Sequence, residues 1–386
     1  MSKKRENFDI LILGAGASGL MVASLLKNKK RVAIIEGNSK VGKKLSITGG
    51  GRCNISNANL KPSNFLGDES FSRVIFRRFN QHHLLKWLDS QKIELSLEKN
   101  EQFFCKGGAK SIVNLFEKSI KGINLFLNHK ILSLKKQNDN FILSCDRRDF
   151  RAKNVIVATG GLSFGGLGAT EIGFEIASSF GHQIQKLSPA LVGFTLQKKQ
   201  FFMKDLAGVS LPVEIKVAKK IFKDNLLFTH TGVSGPAVLN ASLYWQKGEV
   251  EIDFLPNFAL KNISGKKNIS TLLPLPKRFS KAILNHLEIV DKPAYKISPD
   301  ELERLKRLKS YQFSPAGTFG YNKAEVTKGG VSTQELETKN MMSKIEKNLF
   351  FVGEVVDITG ELGGYNLQWA FSSAFVCAKY LNSKQD

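Results

Sequence analysis

The apolar and polar positions of residues 9–38, DILILGAGASGLMVASLLKNKKRVAIIEGN, change their period twice. A continuous apolar run predicts a buried strand, a glycine-rich turn follows it, and an apolar stretch through Leu26 predicts a helix. A second apolar run, Val32 to Ile35, predicts another strand that ends at Glu36. This order of strand, turn, helix and strand predicts a βαβ unit of the dinucleotide-binding type.

The turn of this unit has the spacing G-x-G-x-x-G. Gly14 permits the tight turn, Gly16 lets the backbone approach a pyrophosphate on the helix N-terminus, and Gly19 lets helix and strand pack closely. Glu36 is placed to accept hydrogen bonds from an adenosine ribose and would repel a 2′-phosphate, which disfavours NADP here. NAD and FAD both stay open, because each presents an ADP half. The residues predicted to bind this half are Gly14, Gly16, Ala17, Ser18, Gly19 and Glu36.

A second glycine cluster, residues 41–57 (VGKKLSITGGGRCNISN), has no strand or helix pattern of its own. Three consecutive glycines stand beside lysines, hydroxyls, an arginine and a cysteine, which is typical of a loop that passes close to an extended ligand. We interpret it in this way rather than as a flexible surface turn. The predicted cofactor-binding residues of this loop are Lys44, Thr48, Gly49, Gly50, Gly51, Arg52, Cys53 and Asn54.

Two later segments repeat the pattern of a buried strand followed by glycine. In residues 154–164 the strand leads into a Thr-Gly-Gly turn similar to the ATG turn of two-dinucleotide-binding flavoproteins. In residues 348–381 a strand precedes two acidic residues, a double-glycine turn and an apolar helix from about Asn366. This resembles the flavoprotein segment in which an acid binds ribitol and a helix N-terminus faces the flavin. The predicted cofactor-binding residues are Thr159, Gly160, Gly353, Glu354, Asp357, Gly364, Tyr365 and Asn366.

Since both ends of the chain point to one FAD, the predicted fold is α/β, with a discontinuous Rossmann-like FAD-binding domain of the two-dinucleotide-binding flavoprotein type. This domain is predicted to comprise residues 1–191 and 325–386. Residues 192–324 are predicted to form an inserted substrate domain, because short strands such as VEIKVA give way to helical segments such as DELERLKRLKSY. A β module followed by a helical lobe fits this pattern.

Composition limits the classes of function. The chain has 386 residues, enough for two or three domains. No apolar stretch is long enough to cross a bilayer, and the first ten residues lack the pattern of a signal peptide, so we expect a cytoplasmic protein without membrane contact. The cysteines form no C-x-x-C pair, which argues against a disulfide framework or a metal site and favours reduced thiols. They are Cys53, Cys105, Cys145 and Cys377.

Charge adds a candidate partner. The net charge of +23 favours association with a polyanion, and nucleic acid is the main candidate. The alternative is a lysine-rich compositional bias. Two basic helical segments are candidates for phosphate contacts or for solvated faces: Lys277, Arg278 and Lys281, and Arg304, Lys306, Arg307 and Lys309. One interleaved segment is a candidate for base stacking or for core packing: Phe201, Phe202 and Phe222 among Lys198, Lys199, Lys204 and Lys223.

Seven stretches together resemble the RdsA/BaiN/aminoacetone-oxidase family of FAD-dependent flavoproteins, also called YhiN-like, over nearly the whole chain: GAGASGL, GKKLSITGGGRCNISN, ATGGLSF, PALVGF, LLFTHTGVSGPAVLNAS, EVTKGGVS and FVGEVVDITGELGGYNLQWAFSSA. The resemblance implies FAD and an inserted barrel-like substrate domain with helices that covers the exposed face of the flavin. One segment departs from the family pattern. Residues 164–170 read FGGLGAT, where the family continues with Tyr-Pro and a Thr-Gly turn.

The resemblance implies several activities. Family members are assigned to the reduction of uridine to dihydrouridine in large-subunit ribosomal RNA, and others are amine oxidases or enone reductases. We expect RNA reduction, with small-molecule redox chemistry and a redox-sensing RNA-binding flavoprotein as alternatives. NADH or NADPH would bind transiently, because no second G-x-G-x-x-G unit is present. Cys53 is a candidate acid and His230 a candidate proton donor, each with a structural role as the alternative. The oligomeric state is open.

Overall fold

The computed structural model describes residues 5–26 and 30–383; residues 1–4, considered above for a signal peptide, lie outside the described residues. The chain divides into two compact units, a first unit of Met1–Ser188 with Val326–Asp386 and a second unit of Pro189–Glu325. The sequence placed the corresponding boundaries at residues 191/192 and 324/325.

The elements up to the second unit are, in chain order, β1 (Arg5–Leu13), α1 (Ala17–Leu25), β2 (Val32–Ile35), β3 (Asn54–Asn57), β4 (Phe65–Gly67), α2 (Glu69–Arg78), α3 (Gln81–Ser90), β5 (Leu95–Glu98), β6 (Gln102–Cys105), α4 (Gly108–Ser119), β7 (Asn124–Phe126), β8 (Ile131–Gln137), β9 (Asn140–Cys145), β10 (Asp149–Val157), α5 (Ile172–Ser179) and β11 (Ile184–Ala190).

The second unit continues with β12 (Phe194–Thr195), β13 (Ser210–Val217), β14 (Lys220–Phe228), β15 (Gly232–Ser234), α6 (Pro236–Tyr244), β16 (Val250–Asp253), α7 (Ile269–Leu272), α8 (Lys277–His286), α9 (Pro299–Lys306), β17 (Tyr311–Phe313) and β18 (Gly317–Thr318). The first unit then resumes with β19 (Val326–Val331), β20 (Leu349–Phe351), β21 (Ile358–Gly360) and α10 (Tyr365–Ser383).

The main sheet of the first unit has a parallel part formed by β7, β2, β1, β10 and β20. Its register places the last residues of neighbouring strands side by side: Leu13 pairs with both Ile35 and Val157, and Val157 pairs with Phe351. We call this row of strand ends the carboxyl edge. Ligands of open α/β sheets bind beyond this edge, and the segments that follow it here carry the predicted cofactor residues.

β2, β20 and the last four residues of β1 and of β10 are buried, as their near-continuous apolar sequences predict, whereas the edge strand β7 is largely exposed. β2 is buried at all four positions, and α1 and α10 pack beside each other in the same hydrophobic core. The predicted βαβ unit and α/β fold class are confirmed. Loop 41–57 differs from the prediction, because it contains β3 and, within Leu45–Gly51, short helical turns that are interrupted at Thr48 by an extended residue. Among the described residues, no helix is both long and apolar enough to cross a membrane.

The second unit contains one antiparallel sheet in the order β17-β16-β13-β14-β15-β12-β18. Its two edge strands, β17 and β18, are separated in the chain by only residues 314–316. The four Cα steps from Phe313 to Gly317 span at most ~15 Å. A flat sheet with six spacings of ~4.8 Å would hold its edges ~29 Å apart, so this sheet is rolled into a barrel-like shape. Helices α6 to α9 complete the hydrophobic core of this unit.

Candidate functional site

The first glycine turn lies at the carboxyl edge between β1 and α1. Gly14 adopts a φ of +103°, its N–H donates to Ile35 O at 2.8 Å, and a Cβ there would lie 2.6 Å from Ala158 O. A Cβ at Gly19 would lie 2.0 Å from Gly14 O. Packing within the protein therefore requires glycine at both positions.

Gly16 is different, because nothing in the surrounding protein requires a glycine there. Its backbone is extended, with φ −82° and ψ −169°, and a Cβ would meet no atom within 4 Å. It precedes α1, whose N-terminus has no side-chain cap and no acidic residue in its first turn. An open glycine before an uncapped helix N-terminus fits the approach of a pyrophosphate, which would accept hydrogen bonds from the first N–H groups of α1.

Glu36 follows β2 at the same edge. Its Oε2 accepts a hydrogen bond from the Ala15 N–H at 2.7 Å, and its Oε1 accepts one from the Asn38 N–H at 2.8 Å. These two backbone donors fix the carboxylate beside the glycine turn. Each oxygen retains a lone pair for a ribose hydroxyl. Gly16, α1 and Glu36 together form a site that fits the ADP half of a dinucleotide.

The backbone conformation of the second glycine cluster explains why this segment is rich in glycine. Gly49, Gly50 and Gly51 have φ values of +59°, +66° and +85°, and Cβ atoms at Gly50 and Gly51 would meet nothing within 4 Å. Three successive left-handed residues are unfavourable for any residue with a side chain. The glycines are therefore needed for the conformation of this loop.

Cys53 follows this turn and is fully buried, with a left-handed φ of +58°. Its backbone N–H donates to Thr48 O at 2.9 Å, and its carbonyl accepts from the Cys105 N–H at 3.2 Å. The two thiols are hydrogen-bonded. That bond lowers the pKa of Cys53 against the effect of burial, with a further bond to Thr48 acting in the same direction, and it raises the pKa of Cys105 together with burial. The pair, on β6 and beside β3, is distant in sequence but adjacent in space.

An ion pair connects the glycine loop with the C-terminal segment. The Lys44 ammonium donates to both Glu354 oxygens, at 3.1 and 2.8 Å, and Glu354 Oε1 also accepts from the Thr327 N–H at 2.9 Å. Thr327 Oγ1 in turn accepts from the Leu162 and Ser163 N–H groups at 2.8 and 3.2 Å. Loop 41–57, β19 and the turn after β10 are thereby held in one polar network.

Two further residues of the loop bind protein partners. Arg52 bonds Glu98, and its guanidinium lies 4.4 Å from the centroid of the Phe104 ring. The Asn54 amide contacts the Gln102 amide. Both side chains therefore fix the loop to β5 and β6, and we assign them to the support of the loop.

The turn after β10 contains Thr159 and Gly160. Gly160 has a φ of +78°, and the nearest atom to a Cβ there would be Glu354 Oε2, at 3.9 Å. Thr159 Oγ1 is buried and has no hydrogen-bond partner among the described residues. Gly160 therefore leaves room beside Glu354, whereas the unpaired Thr159 hydroxyl lies against Gly173, where a Cβ would be 2.0 Å from Oγ1.

The C-terminal segment returns to the carboxyl edge at Gly353. Its N–H donates to Ser373 Oγ and its carbonyl accepts from Trp369 Nε1, each at 3.0 Å, which fixes it to α10. Asp357, four residues later, is half-buried, and desolvation raises the pKa of its carboxyl to about 6. Because this carboxylate is poorly solvated, a hydrogen bond from a hydroxyl donor such as a ribitol would stabilise its ionised form.

The side chains at the start of α10 contact other residues of the protein. Gly364 has a φ of +93°, and a Cβ there would lie 2.4 Å from Ser56 O. Tyr365 packs edge-on against Phe65, and burial raises the pKa of its hydroxyl to about 12. The Asn366 amide exchanges two hydrogen bonds with Gly360, at 2.8 and 2.9 Å. The Asn366 amide is therefore used within the protein, and the cofactor contacts of Gly364 and Tyr365 stay predictions.

The segment that departs from the family pattern has a defined conformation. Phe164 and Gly168 are left-handed, with φ values of +62° and +95°, and they enclose the turn Gly165–Leu167. Leu167 O accepts from Asn38 Nδ2 at 3.0 Å, and Asn38 Oδ1 accepts from Lys43 Nζ at 2.8 Å. This turn is therefore fastened to the residues that follow Glu36.

The remaining candidates belong to the second unit. His230 is exposed in the turn between β14 and β15, where the neighbouring Thr229 Oγ1 bonds Gly232. Phe222 is part of the core, Phe202 is partly buried, and Phe201 is exposed. Among the described residues, no group of three or more histidine, cysteine or acidic side chains is placed to hold a metal ion.

The sequence did not identify three residues that support the site. Thr327, Asn38 and Cys105 act through contacts with residues far away in the chain or through backbone groups. A fourth residue, Lys328, is half-buried next to Thr327, and desolvation lowers the pKa of its ammonium to about 8. For Thr327 and Lys328, the motif EVTKGGVS was the only indication in the sequence that these residues belong to the site.

Comparisons with known proteins agree with this architecture. A family model described as the HI0933-like protein Rossmann domain matches residues 8–380. A ribosomal RNA dihydrouridine synthase of Haemophilus influenzae is 38% identical over 398 residues, covering 98% of this chain and 98% of that protein. A 3-dehydro-bile acid delta(4,6)-reductase of Clostridium scindens is 27% identical over 400 residues, covering 95% and 97%. The solved 3-ketosteroid-delta4-(5alpha)-dehydrogenase from Rhodococcus jostii RHA1, at 12% identity, 98% and 97% coverage and a TM-score of 0.54, shares the fold.

Proposed function

The chain belongs to the HI0933-like family, and we propose that it is an FAD-dependent oxidoreductase that reduces uridine to dihydrouridine in large-subunit ribosomal RNA. The observation that carries this proposal is the 38% identity over 98% of both chains to a protein named ribosomal RNA dihydrouridine synthase. The net charge of +23 supports a polyanionic substrate.

FAD is the dinucleotide that best fits both halves of the site. Gly16, the N-terminus of α1 and Glu36 would bind the ADP half. The glycine loop, the turn at Thr159 and Gly160, and the C-terminal segment with Asp357 would bind the flavin half, which an NAD molecule lacks. When bound, FAD supplies hydride chemistry. The chain's own residues orient it and exclude water.

The reaction saturates one double bond of the base. A hydride is added to uracil C6 and a proton to C5, while NADH or NADPH loses the hydride and becomes NAD⁺ or NADP⁺. The described residues contain one dinucleotide turn of this type, so the nicotinamide reductant would bind transiently. The reaction thus consumes uridine, NAD(P)H and one proton, and it forms dihydrouridine and the oxidised nicotinamide.

The source of the C5 proton is a separate question. Cys53 has no exposed surface, and its thiol bonds Cys105 and Thr48. These contacts favour a supporting role in the glycine loop over proton donation. His230 is exposed and stays a candidate donor.

A small-molecule reductase is the second candidate. The observation in its favour is the full-length similarity, at 27% identity, to a protein named 3-dehydro-bile acid delta(4,6)-reductase. Such an enzyme would reduce a conjugated carbon–carbon double bond by the same hydride chemistry, without need of a basic surface.

An assay with purified protein separates the two candidates. The protein is incubated with NADPH and ribosomal RNA prepared from a host that lacks the gene, and the digested nucleosides are analysed by mass spectrometry. Formation of dihydrouridine at one site, dependent on both flavin and NADPH, supports the proposal. Unchanged RNA, together with NADPH oxidation by a steroid enone, would support the second candidate.

A further inference from the structure

One phenylalanine differs from all the others in its exposure. Of the 28 phenylalanines, Phe201 alone is exposed, with 45% of its surface accessible. It lies on a 3₁₀ segment, Lys198–Leu206, whose buried residues Gln200, Met203 and Leu206 anchor it to the second unit. An exposed aromatic ring on an anchored segment offers a fixed flat surface on which a planar ligand can stack.

Helix α8 packs against this segment. The Phe202 ring stacks on the His286 ring, with 4.2 Å between centroids and 19° between planes, and Arg278 donates to Asp205 O. Burial, together with the nearby charge of Lys199, lowers the pKa of His286. The two segments that the sequence suggested separately are therefore one surface. We call residues 198–206 and the exposed side of α8 the basic-aromatic surface.

The positive charges of this surface are not neutralised by acidic neighbours. Among the described residues, no carboxylate lies within ion-pair distance of its six cations: Lys198, Lys199, Lys204, Lys277, Arg278 and Lys281. The segment does contain Asp205, whose carbonyl binds Arg278. The other basic segment differs, because Arg304, Lys306 and Lys309 are paired with Asp300, Glu303 and Asp253 at 3.7, 2.6 and 2.8 Å.

Phe201 and its neighbour Lys204 combine two kinds of contact. The Lys204 ammonium lies 3.6 Å from the centroid of the Phe201 ring. The ammonium covers one face of the ring, so a base would stack on the other face, and the same cation can reach the phosphate of that nucleotide. A duplex hides its base faces, so this combination fits a single strand.

We propose that the basic-aromatic surface binds a single-stranded segment of RNA, with the cations on its phosphates and one base stacked on Phe201. The proposal rests on the RNA substrate proposed above and names where the chain holds it. Cations alone would also attract other polyanions, whereas the exposed ring distinguishes a ligand that has bases.

The test measures binding of a fluorescent, uridine-rich single-stranded RNA by the FAD-loaded protein at several salt concentrations. Phe201→Ala should weaken binding about tenfold through loss of stacking. The double variant Lys198→Gln, Lys281→Gln should also weaken it about tenfold and lower the slope of log Kd against log salt by about 2. Heparin, a polyanion without bases, should lose affinity only in the lysine variant.

Matched controls exist on the same unit. Tyr295 is exposed at 63% and has Lys296 5.6 Å from its ring centroid, but Asp291, Glu288 and Glu301 are close in sequence. Tyr295→Ala should leave RNA binding unchanged. Lys216 and Lys223 are paired with Glu251 and Glu214, both at 2.8 Å, and their double glutamine variant should have little effect. All the changed side chains are exposed, so the variants should keep their flavin and melting temperature.

The outcomes separate this inference from the proposed function. If Phe201→Ala and the patch lysine variant bind RNA as tightly as the wild type, the inference is overturned, even when the wild type forms dihydrouridine. Equal loss of RNA and heparin affinity in Phe201→Ala would overturn the stacking. If the variants lose RNA affinity as expected but the wild type forms no dihydrouridine, the surface stands and the proposed reaction fails.

Discussion

Lys44 and Glu354 lie 310 positions apart in the chain and form an ion pair in which Nζ is 2.8 Å from Oε2. The pair joins the glycine loop to the C-terminal segment, and Glu354 continues the connection to β19 through the Thr327 N–H. Each of these segments follows or approaches the carboxyl edge. The half of the candidate site that would hold the flavin is therefore assembled by contacts between the two ends of the chain.

This ion pair should contribute measurably to stability. Its side chains are 32% and 22% exposed, so we expect a coupling free energy of about 1 kcal/mol in a double-mutant cycle of Lys44→Met and Glu354→Gln. Glu354→Gln should be the more damaging single change, since it also weakens the bond from Thr327. Lys306 and Glu303, 57% and 70% exposed, form the control pair and should show a coupling near zero. Equal couplings for the two pairs would argue against the connection described here.

Gly16 should be essential for flavin binding but not for folding. A valine there would fill space that the protein leaves open, so we expect Gly16→Val to fold and to lose its FAD. The measurement is the absorbance ratio of flavin to protein after purification, together with the circular dichroism spectrum. Gly317→Val is the control, because a Cβ at that position meets only Thr195 Oγ1, at 3.6 Å. A yellow Gly16→Val protein with normal FAD stoichiometry would refute the assignment.

Asp357 should make the stability of the flavin-free protein depend on pH. Its carboxyl has a pKa of about 6 in the folded protein and 3.8 in the unfolded chain, so the folded state binds more protons between these values. The contribution of Asp357 to the free energy of unfolding therefore falls as pH rises from about 4 to about 6. Above that range we expect Asp357→Asn to be more stable than the wild type, by on the order of 2 kcal/mol. Urea unfolding across this range is the measurement. A pH-independent difference would show that Asp357 is ordinarily solvated.

Cys53 should act through structure rather than through proton transfer. We expect Cys53→Ala to keep its FAD, to retain uridine reduction within about tenfold of the wild-type rate, and to melt at a lower temperature because a buried thiol contact is lost. Cys105→Ala should have the same effects. A rate that falls by about a hundredfold or more in Cys53→Ala alone, with full flavin occupancy, would make Cys53 the acid.

The parts of the fold with strong local periodicity could be predicted from the sequence. The βαβ unit followed from an apolar run, a glycine spacing and Glu36, all within thirty residues of one another. The short strands β12, β15 and β18 have two or three residues, too few for any period, so the rolled sheet could not be derived from its strands. The contacts Cys53 with Cys105 and Lys44 with Glu354 join distant positions, which no local pattern predicts.

The glycine loop shows a different limit. Its composition indicated a close approach of ligand and backbone, and the structure adds that three left-handed residues in succession require those glycines. Arg52 and Asn54 were predicted to contact the cofactor from their type and position. Their side chains bind Glu98 and Gln102, because β5 and β6 lie beside the loop, and the cofactor contact of both residues stays a prediction. Residue type identified the loop but not the direction of its side chains.

The central claim is that this chain reduces uridine in ribosomal RNA with a flavin. The most direct measurement is nucleoside mass spectrometry of ribosomal RNA from the host with the gene, without it, and with the gene restored either as wild type or as Gly16→Val. We predict that dihydrouridine at one site of the large-subunit RNA is lost on deletion and returns with the wild type but not with Gly16→Val. Dihydrouridine that is unchanged by deletion would contradict the claim and would favour a small-molecule substrate.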